Sequence, residues 1–258
     1  MRVLLIAGHG QGDSGAVGNG TTEAEETRVL VSLIQPILSK YTETVVYPFD
    51  KDCYQQSRNG NPPNWTAYDY VFEIHFNSAD VEARGTEILI HPTEPAHSVE
   101  DLILRNVCQC GFVNRGIKIR SDLGNMNRCR AVGVSYALLE TCFINSTDMQ
   151  RYFSVMESVA YGIVNGIIEG FGIVSNLTPP EDDEIPANLY KVQTGAFKVK
   201  SNATTLSNKL KNCGYKNFIA WEGNLYKVQV GAFSIYDNAV ALSNELKEKG
   251  FDTFIKRY

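Results

Sequence analysis

The sequence predicts an α/β protein with a mostly parallel twisted sheet flanked by helices, followed by a small α+β domain of ferredoxin-like βαββαβ order. Three observations predict it. Strand-like and helix-like runs interleave over residues 1–174 at the spacing of helices packed on a parallel sheet. Residues 175–188 hold Pro179, Pro180 and Pro186 with Glu181, Asp182, Asp183 and Glu184 and almost nothing apolar, the composition of an exposed linker. Beyond it, Leu189-Tyr-Lys-Val-Gln-Thr-Gly-Ala-Phe197 returns as Leu225-Tyr-Lys-Val-Gln-Val-Gly-Ala-Phe233, a repeat with an offset of 36.

In chain order, the apolar run Val3-Leu-Leu-Ile-Ala7 reads as a first strand, too short for a signal-peptide core, so no export signal is expected. Periodic apolar residues predict a helix from about Glu25 to Ser39, then strands at Thr44–Tyr47, Tyr70–Ile74 and Gly85–Ile90. A helix over Val99–Cys110, a strand at Leu138–Glu140 and a helix over Met149–Glu169 complete residues 1–174. In residues 189–258 each repeat opens with an alternating strand. It passes to a helix with Ala203, Leu206 and Leu210 on one face, turns at Gly214 and ends in a short strand at Phe218-Ile219. One copy is too small to bury a core, so the two are expected to share one four-stranded sheet.

At 258 residues, with 43% hydrophobic and 21% charged residues, the chain is globular, and no apolar run reaches the roughly 18 residues of a membrane span. Membrane insertion is not expected. Six cysteines lack C-x-x-C spacing, which argues against a structural zinc site or a disulfide framework and fits a reducing compartment of synthesis. Residues 189–258 carry 11 Lys/Arg against 5 Asp/Glu, whereas residues 1–174 carry 13 against 20, so a basic tail follows an acidic body. Such a tail points to an anionic partner. Its open sheet face is expected to display Lys191, Gln193, Lys227 and Gln229, without the aromatic pair an RNA-binding sheet uses, so nucleic acid is not the expected partner.

Four histidines exist, and two of them follow strands. His9 sits between Gly8 and Gly10, and His75 follows the apolar run ending at Ile74. Strand ends are where open α/β sheets hold their sites. A carboxylate beside two imidazoles would leave a fourth zinc position open for water. The cluster Glu23-Ala-Glu25-Glu26 offers that carboxylate, but acids in a first helical turn also satisfy the helix dipole, and spacing alone does not choose among them.

Five segments carry a resemblance: Gly8-His9-Gly10; Asp13 through Gly20 to Glu23; Ile74-His75-Phe76-Asn77; Asn114-Arg115-Gly116-Ile-Lys118; and Leu138-Leu139-Glu140 through Asn145. In this order they resemble the zinc-dependent N-acetylmuramoyl-L-alanine amidases of the third amidase family. The resemblance implies that His9, Glu23 and His75 bind Zn²⁺ and that Glu140 is catalytic, with Glu26, one helical turn on, as the alternative to Glu23. Hydrolysis of an amide needs a polarised carbonyl and a carboxylate to move the water proton, and Glu140, ending an apolar strand, is placed for that. The repeat with Tyr-Lys-Val-Gln-Val-Gly-Ala-Phe resembles a SPOR domain, a peptidoglycan-binding module.

Together these resemblances imply an enzyme that cuts the amide between N-acetylmuramic acid and L-alanine in bacterial peptidoglycan. The architecture is similar to mother-cell lysis amidases of sporulation and to endolysins of phages infecting Gram-positive hosts. Such a chain would be made in the cytoplasm and reach the wall on lysis. The same residues would equally serve a zinc carboxypeptidase on the stem peptide, and an inactive wall-binding protein is the alternative outside the enzymes.

Overall fold

The computed structural model describes residues 1–10, 12–94, 98–173, 190–215, 217–222, 224–233 and 236–257. The 175–188 linker, Leu189 and His97 lie outside the described residues. The chain divides into two compact units, residues 1–177 and 178–258.

The first unit holds β1 (Arg2–Ala7), the short β2 (Val17–Gly18) and β3 (Thr21–Thr22), α1 (Glu23–Leu38), β4 (Glu43–Val46) and α2 (Cys53–Arg58). After a 3-10 turn at Trp65–Ala67 come β5 (Tyr70–Asn77), β6 (Thr86–Ile90), α3 (Ser98–Gln109), β7 (Asn114–Ile119), α4 (Gly124–Ala131), β8 (Ser135–Phe143) and α5 (Asp148–Gly170). Six strands form one sheet in the order β4-β1-β5-β8-β6-β7. β4, β1, β5 and β8 run parallel, whereas β6 pairs antiparallel with β8 and carries β7 parallel to itself.

The continuous apolar character of the central strands follows from burial on both faces. Val3, Leu5 and Ala7 of β1 pack with residues of α1, α3 and α5, including Leu30, Ile103 and Ile163, while Leu4 and Ile6 pack on the other face with Cys53, Met126 and Cys129 of α2 and α4. The apolar run at the amino end of the chain is thus a buried sheet strand. Along β5 and β8 the same alternation sets Val71, Glu73 and His75 beside Tyr136, Leu138 and Glu140 on the α2/α4 face.

Several boundaries differ from those the sequence predicts. Helix α1 starts at Glu23, two residues early, because Thr22 caps it: its side chain accepts from the Glu25 N–H and the Glu25 carboxylate accepts from the Thr22 N–H. The strand expected at Leu138–Glu140 spans Ser135–Phe143, and Gly85 precedes its strand at a φ of 107°. Strand β7 and helices α2 and α4 carry no clear periodicity. In α4 only Asn125, Met126 and Cys129 are buried, too few to mark an apolar stripe.

The second unit contains β9 (Tyr190–Phe197), α6 (Lys200–Asn212), β10 (Phe218–Glu222), β11 (Leu225–Phe233), α7 (Tyr236–Glu248) and β12 (Phe254–Arg257). Its sheet, in the order β10-β11-β9-β12, is antiparallel throughout. Val192 and Val228 pack with Ala203 and Leu210 of α6 and Ala239 and Leu246 of α7, so both helices cover one face. This is the ferredoxin-like arrangement. On the other face one expectation fails. Gln193 and Gln229 pair directly across β9 and β11, yet they are only 7% and 3% exposed and do not offer free side chains. The ladder aligns Phe218 with Gln229 and Phe254 with Gln193, so a row of two amides between two aromatic rings crosses the sheet, with Phe254 62% exposed.

Candidate active site

Three elements converge at the carboxyl ends of β1 and β5. His9 follows β1 with a φ of 61°, a left-handed conformation uncommon for a bulky side chain and costly unless the surroundings impose it. Those surroundings are explicit. Arg28 of α1 donates to the carbonyls of Gly8 (3.0 Å), His9 (2.8 Å) and Phe49 (3.0 Å), and the Thr27 hydroxyl donates to the Gly8 carbonyl at 3.0 Å. Gly10 and Asp13 exchange backbone hydrogen bonds, closing the turn behind His9.

Glu23, the first residue of α1 and only 4% exposed, reaches back between the two imidazoles. Its Oε1 lies 2.8 Å from His75 Nδ1 and accepts from the Phe76 N–H at 3.0 Å; its Oε2 lies 3.2 Å from His9 Nε2 and accepts from the Ala16 N–H at 3.0 Å. Burial alone would raise the pKa of this carboxyl, but the bonds to His75 and His9 outweigh it and hold it well below the usual range. Burial conversely works against the charged imidazoles, and the Glu23 carboxylate reverses that, leaving His9 raised and His75 raised well above its ordinary value, with Glu73 adding to the latter.

Ligating atoms of His9, Glu23 and His75 all lie within 4.8 Å of one another, and among the described residues this is the group of three or more such side chains that could hold a metal ion. Two imidazoles and a carboxylate are the donor set of open catalytic zinc sites. Glycines leave the room: a Cβ on Gly8 would collide with the His75 ring, and one on Gly15 would lie 2.6 Å from His9 Cδ2 and 2.7 Å from Glu23 Oε2. Glu26, the alternative, points elsewhere, its Oε1 accepting from the Thr21 hydroxyl at 2.5 Å.

Glu140 stands opposite His75 in the β5–β8 ladder and opposite Glu87 in the β6–β8 ladder. Its Oε2 is buried and has no hydrogen-bond partner among the described residues. Burial outweighs the pull of His75 and, with the Glu23 and Glu87 carboxylates adding to it, pushes its pKa up to about 7. The Glu87 carboxylate is held by Arg115 Nε at 2.8 Å and Asn77 Nδ2 at 3.0 Å. Asn19, at a φ of 49°, donates to the carbonyls of Ile144 and Ser146 at 2.8 Å each, joining the glycine-rich loop before Glu23 to the segment after Glu140.

The structure therefore brings His9, Glu23, His75 and Glu140 into one site. Sequence reading missed Glu73, Arg28 and Glu87, which surround it. Glu73 was legible only as a charge inside an apolar strand, and Arg28 carried no local signal.

A twisted, mostly parallel sheet with two imidazoles and a carboxylate at its strand ends, and a carboxyl near neutrality beside them, is the kind of site metal-dependent hydrolases use. Comparison with known proteins narrows the class. The N-acetylmuramoyl-L-alanine amidase family matches residues 3–169 and the SPOR domain matches residues 186–257. The chain belongs to the N-acetylmuramoyl-L-alanine amidase family: it is a peptidoglycan amidase that carries a SPOR domain. It is 31% identical over 229 residues to a sporulation-specific N-acetylmuramoyl-L-alanine amidase of Bacillus subtilis (strain 168), covering 85% of this chain and 84% of that protein. A probable autolysin of Staphylococcus aureus (strain NCTC 8325 / PS 47) is 30% identical over 237 residues, covering 77% of this chain, which spans about half (48%) of that longer protein. The catalytic domain of CwlV, an amidase from Bacillus (Paenibacillus) polymyxa var. colistinus, superposes with a TM-score of 0.55 at 22% identity, covering 67% of this chain and 99% of that domain. Among the described residues no helix is long and apolar enough to cross a membrane.

Proposed function

We propose that His9, Glu23 and His75 hold one zinc ion and that Glu140 moves the proton in hydrolysis of the amide between N-acetylmuramic acid and L-alanine. The observation that carries this reading is the Glu23 carboxylate between two imidazoles, next to a buried, unpartnered Glu140 Oε2. Zinc bound there supplies Lewis acidity for the scissile carbonyl and lowers the pKa of water toward about 7. Glu140 Oε2 accepts a proton from the attacking water and returns it to the departing alanine nitrogen. The C–N bond breaks as a C–O bond forms, leaving a lactyl carboxylate and a free alanine amine. Glu87, fixed by Arg115 and Asn77, keeps a second negative charge beside Glu140 and favours its protonated form after the first transfer.

For the SPOR domain, the proposed wall-contacting face is the sheet surface away from α6 and α7. Lys191 and Lys227 supply charge there, and Phe218 and Phe254, at the two ends of the cross-strand row, supply aromatic surface, with Phe254 62% exposed. The two glutamines, being buried, support the row from beneath.

The deciding experiment incubates the full chain with purified sacculi, with and without chelator. Release of N-terminal alanine together with muramic lactyl carboxyl, lost on chelation and restored by Zn²⁺, is the expected result; active protein free of zinc would sink the metal assignment.

A further inference from the structure

His75 is held from both sides. Its Nδ1 faces Glu23 at 2.8 Å and its Nε2 faces Glu73 Oε1 at 3.1 Å. Glu73, two residues earlier in β5, is fully enclosed, 5% exposed, in the layer between the sheet and α4. Its second oxygen is not idle: Oε2 accepts from the Tyr136 hydroxyl of β8 at 2.6 Å and from Asn125 Nδ2 of α4 at 3.0 Å. A carboxylate taken this far out of water is costly unless each oxygen is matched by donors, and here both are. Three elements thus converge on a residue that touches neither the scissile bond nor the proposed ion.

We infer that Glu73 is a positioning residue that fixes His75 as the Nε2–H tautomer and thereby assigns Nδ1 as the nitrogen that ligates the metal. The inference rests on the zinc reading of the His9, Glu23 and His75 cluster. A neutral imidazole carries one proton, and whichever nitrogen keeps it cannot ligate. Glu73 Oε1 accepts only, because Tyr136 and Asn125 occupy Oε2, so it demands a proton on Nε2; a metal ion between Nδ1 and Glu23 would then take the place of the Nδ1 proton that the Glu23 carboxylate attracts. His9 has the mirror arrangement: Asp13 Oδ2 lies 3.0 Å from its Nδ1, which leaves Nε2 toward Glu23. The two supports are unequal. The Asp13 side chain is 44% exposed, and water can replace it, whereas nothing can replace Glu73 inside the layer.

Glu73→Gln is nearly isosteric and puts an amide where the carboxylate was. Tyr136 and Asn125 claim its oxygen, which turns the NH₂ toward His75 Nε2 and replaces an acceptor by a donor. His75 must then carry its proton on Nδ1, the ligating atom.

Two readouts on full-length protein test this: zinc affinity by competition with a chromophoric chelator, and the His75 tautomer by ¹⁵N NMR of histidine-labelled, zinc-loaded protein. Glu73→Gln is expected to lose zinc affinity by about 10- to 100-fold, the usual effect of losing such a partner, with a shift of His75 away from the Nε2–H pattern. Asp13→Asn is expected to lose less. Tyr136→Phe, which keeps the core volume and removes one donor from Oε2, is expected to weaken zinc binding several-fold and remains informative if Glu73→Gln does not fold. Wild-type affinity and an unchanged Nε2–H tautomer in Glu73→Gln, or in Tyr136→Phe should that variant alone fold, would overturn the inference while leaving the metal site intact. Wild-type protein that binds no zinc would instead overturn the metal site, and the inference with it.

Discussion

Glu140 and His75 are direct neighbours across β5 and β8, the register that places a carboxyl of raised pKa beside an imidazole of the His–Glu–His cluster. Since both side chains are fixed by strand pairing, their separation is a property of the sheet and does not depend on a mobile loop.

Glu140→Gln is therefore expected to lower kcat by about 10²- to 10⁴-fold, the usual contribution of a positioned acid–base group. Zinc content and sacculus binding should stay near wild type. Metal analysis of the purified variant checks this, and loss of zinc in step with activity would make Glu140 a ligand.

The same residue sets a pH dependence. Glu140 must be ionised to accept a proton, so kcat/KM is expected to rise with pH along an acid limb at or below about 7, a bound cation drawing the limb downward. In the metal-free protein the sign for stability is opposite. The folded-state pKa lies above the reference of 4.5, so the contribution of Glu140 is complete below that reference and is lost as pH rises through about 7. Chelated Glu140→Gln should then be more stable than chelated wild type at pH 8, by at most about 3 kcal/mol, read as a higher unfolding temperature.

Glu23 and Glu26 lie one turn apart, and their environments predict opposite outcomes. Glu23→Ala removes the carboxylate that His9 and His75 share and is expected to lower zinc occupancy by more than tenfold. Glu26→Ala should keep zinc and lose about 1–3 kcal/mol of stability, the cost of opening a buried hydrogen-bonded site. Zinc titration and thermal unfolding of both variants separate the two roles.

On the SPOR domain, Phe254→Ala in the full chain is expected to weaken co-sedimentation with sacculi several-fold without changing hydrolysis of small soluble muropeptides. Lys191→Ala should weaken it too, chiefly at low salt, because the Debye length is about 10 Å at 0.1 M and shrinks as salt rises. Binding that is unchanged in both variants would remove this face from the proposal.

Much of this architecture was legible in the chain. Buried strands such as β1 announce themselves as unbroken apolar runs, and the 36-residue repeat dictated the second unit. What escaped was structure stabilised by neighbours. Strand β7 leaves Ile119 half exposed and owes its existence to pairing with β6, and α4 buries too few side chains to show a period. At the site, His9, His75 and Glu140 stood out as polar residues at strand ends, whereas spacing left Glu23 one acid among three; the family resemblance pointed to it, and the capped helix start turns it toward the imidazoles. Gln193 and Gln229 misled because alternation reports which face a side chain occupies and says nothing of neighbours that close over it.

The junction at Asn19 binds two distant parts of the chain to a common history. A Cβ on Gly18 would lie 2.5 Å from the Ile144 carbonyl and 2.6 Å from Asn145 Cα, and Asn19 spends both amide hydrogens on carbonyls of that segment. Residues 18–19 and 144–146 are therefore expected to vary together, since a bulkier residue at 18 or a lost amide at 19 must be accommodated by the segment that follows Glu140. Inheritance should act on these five positions as a unit, and a recombination point placed between them would separate two halves of the proposed catalytic geometry.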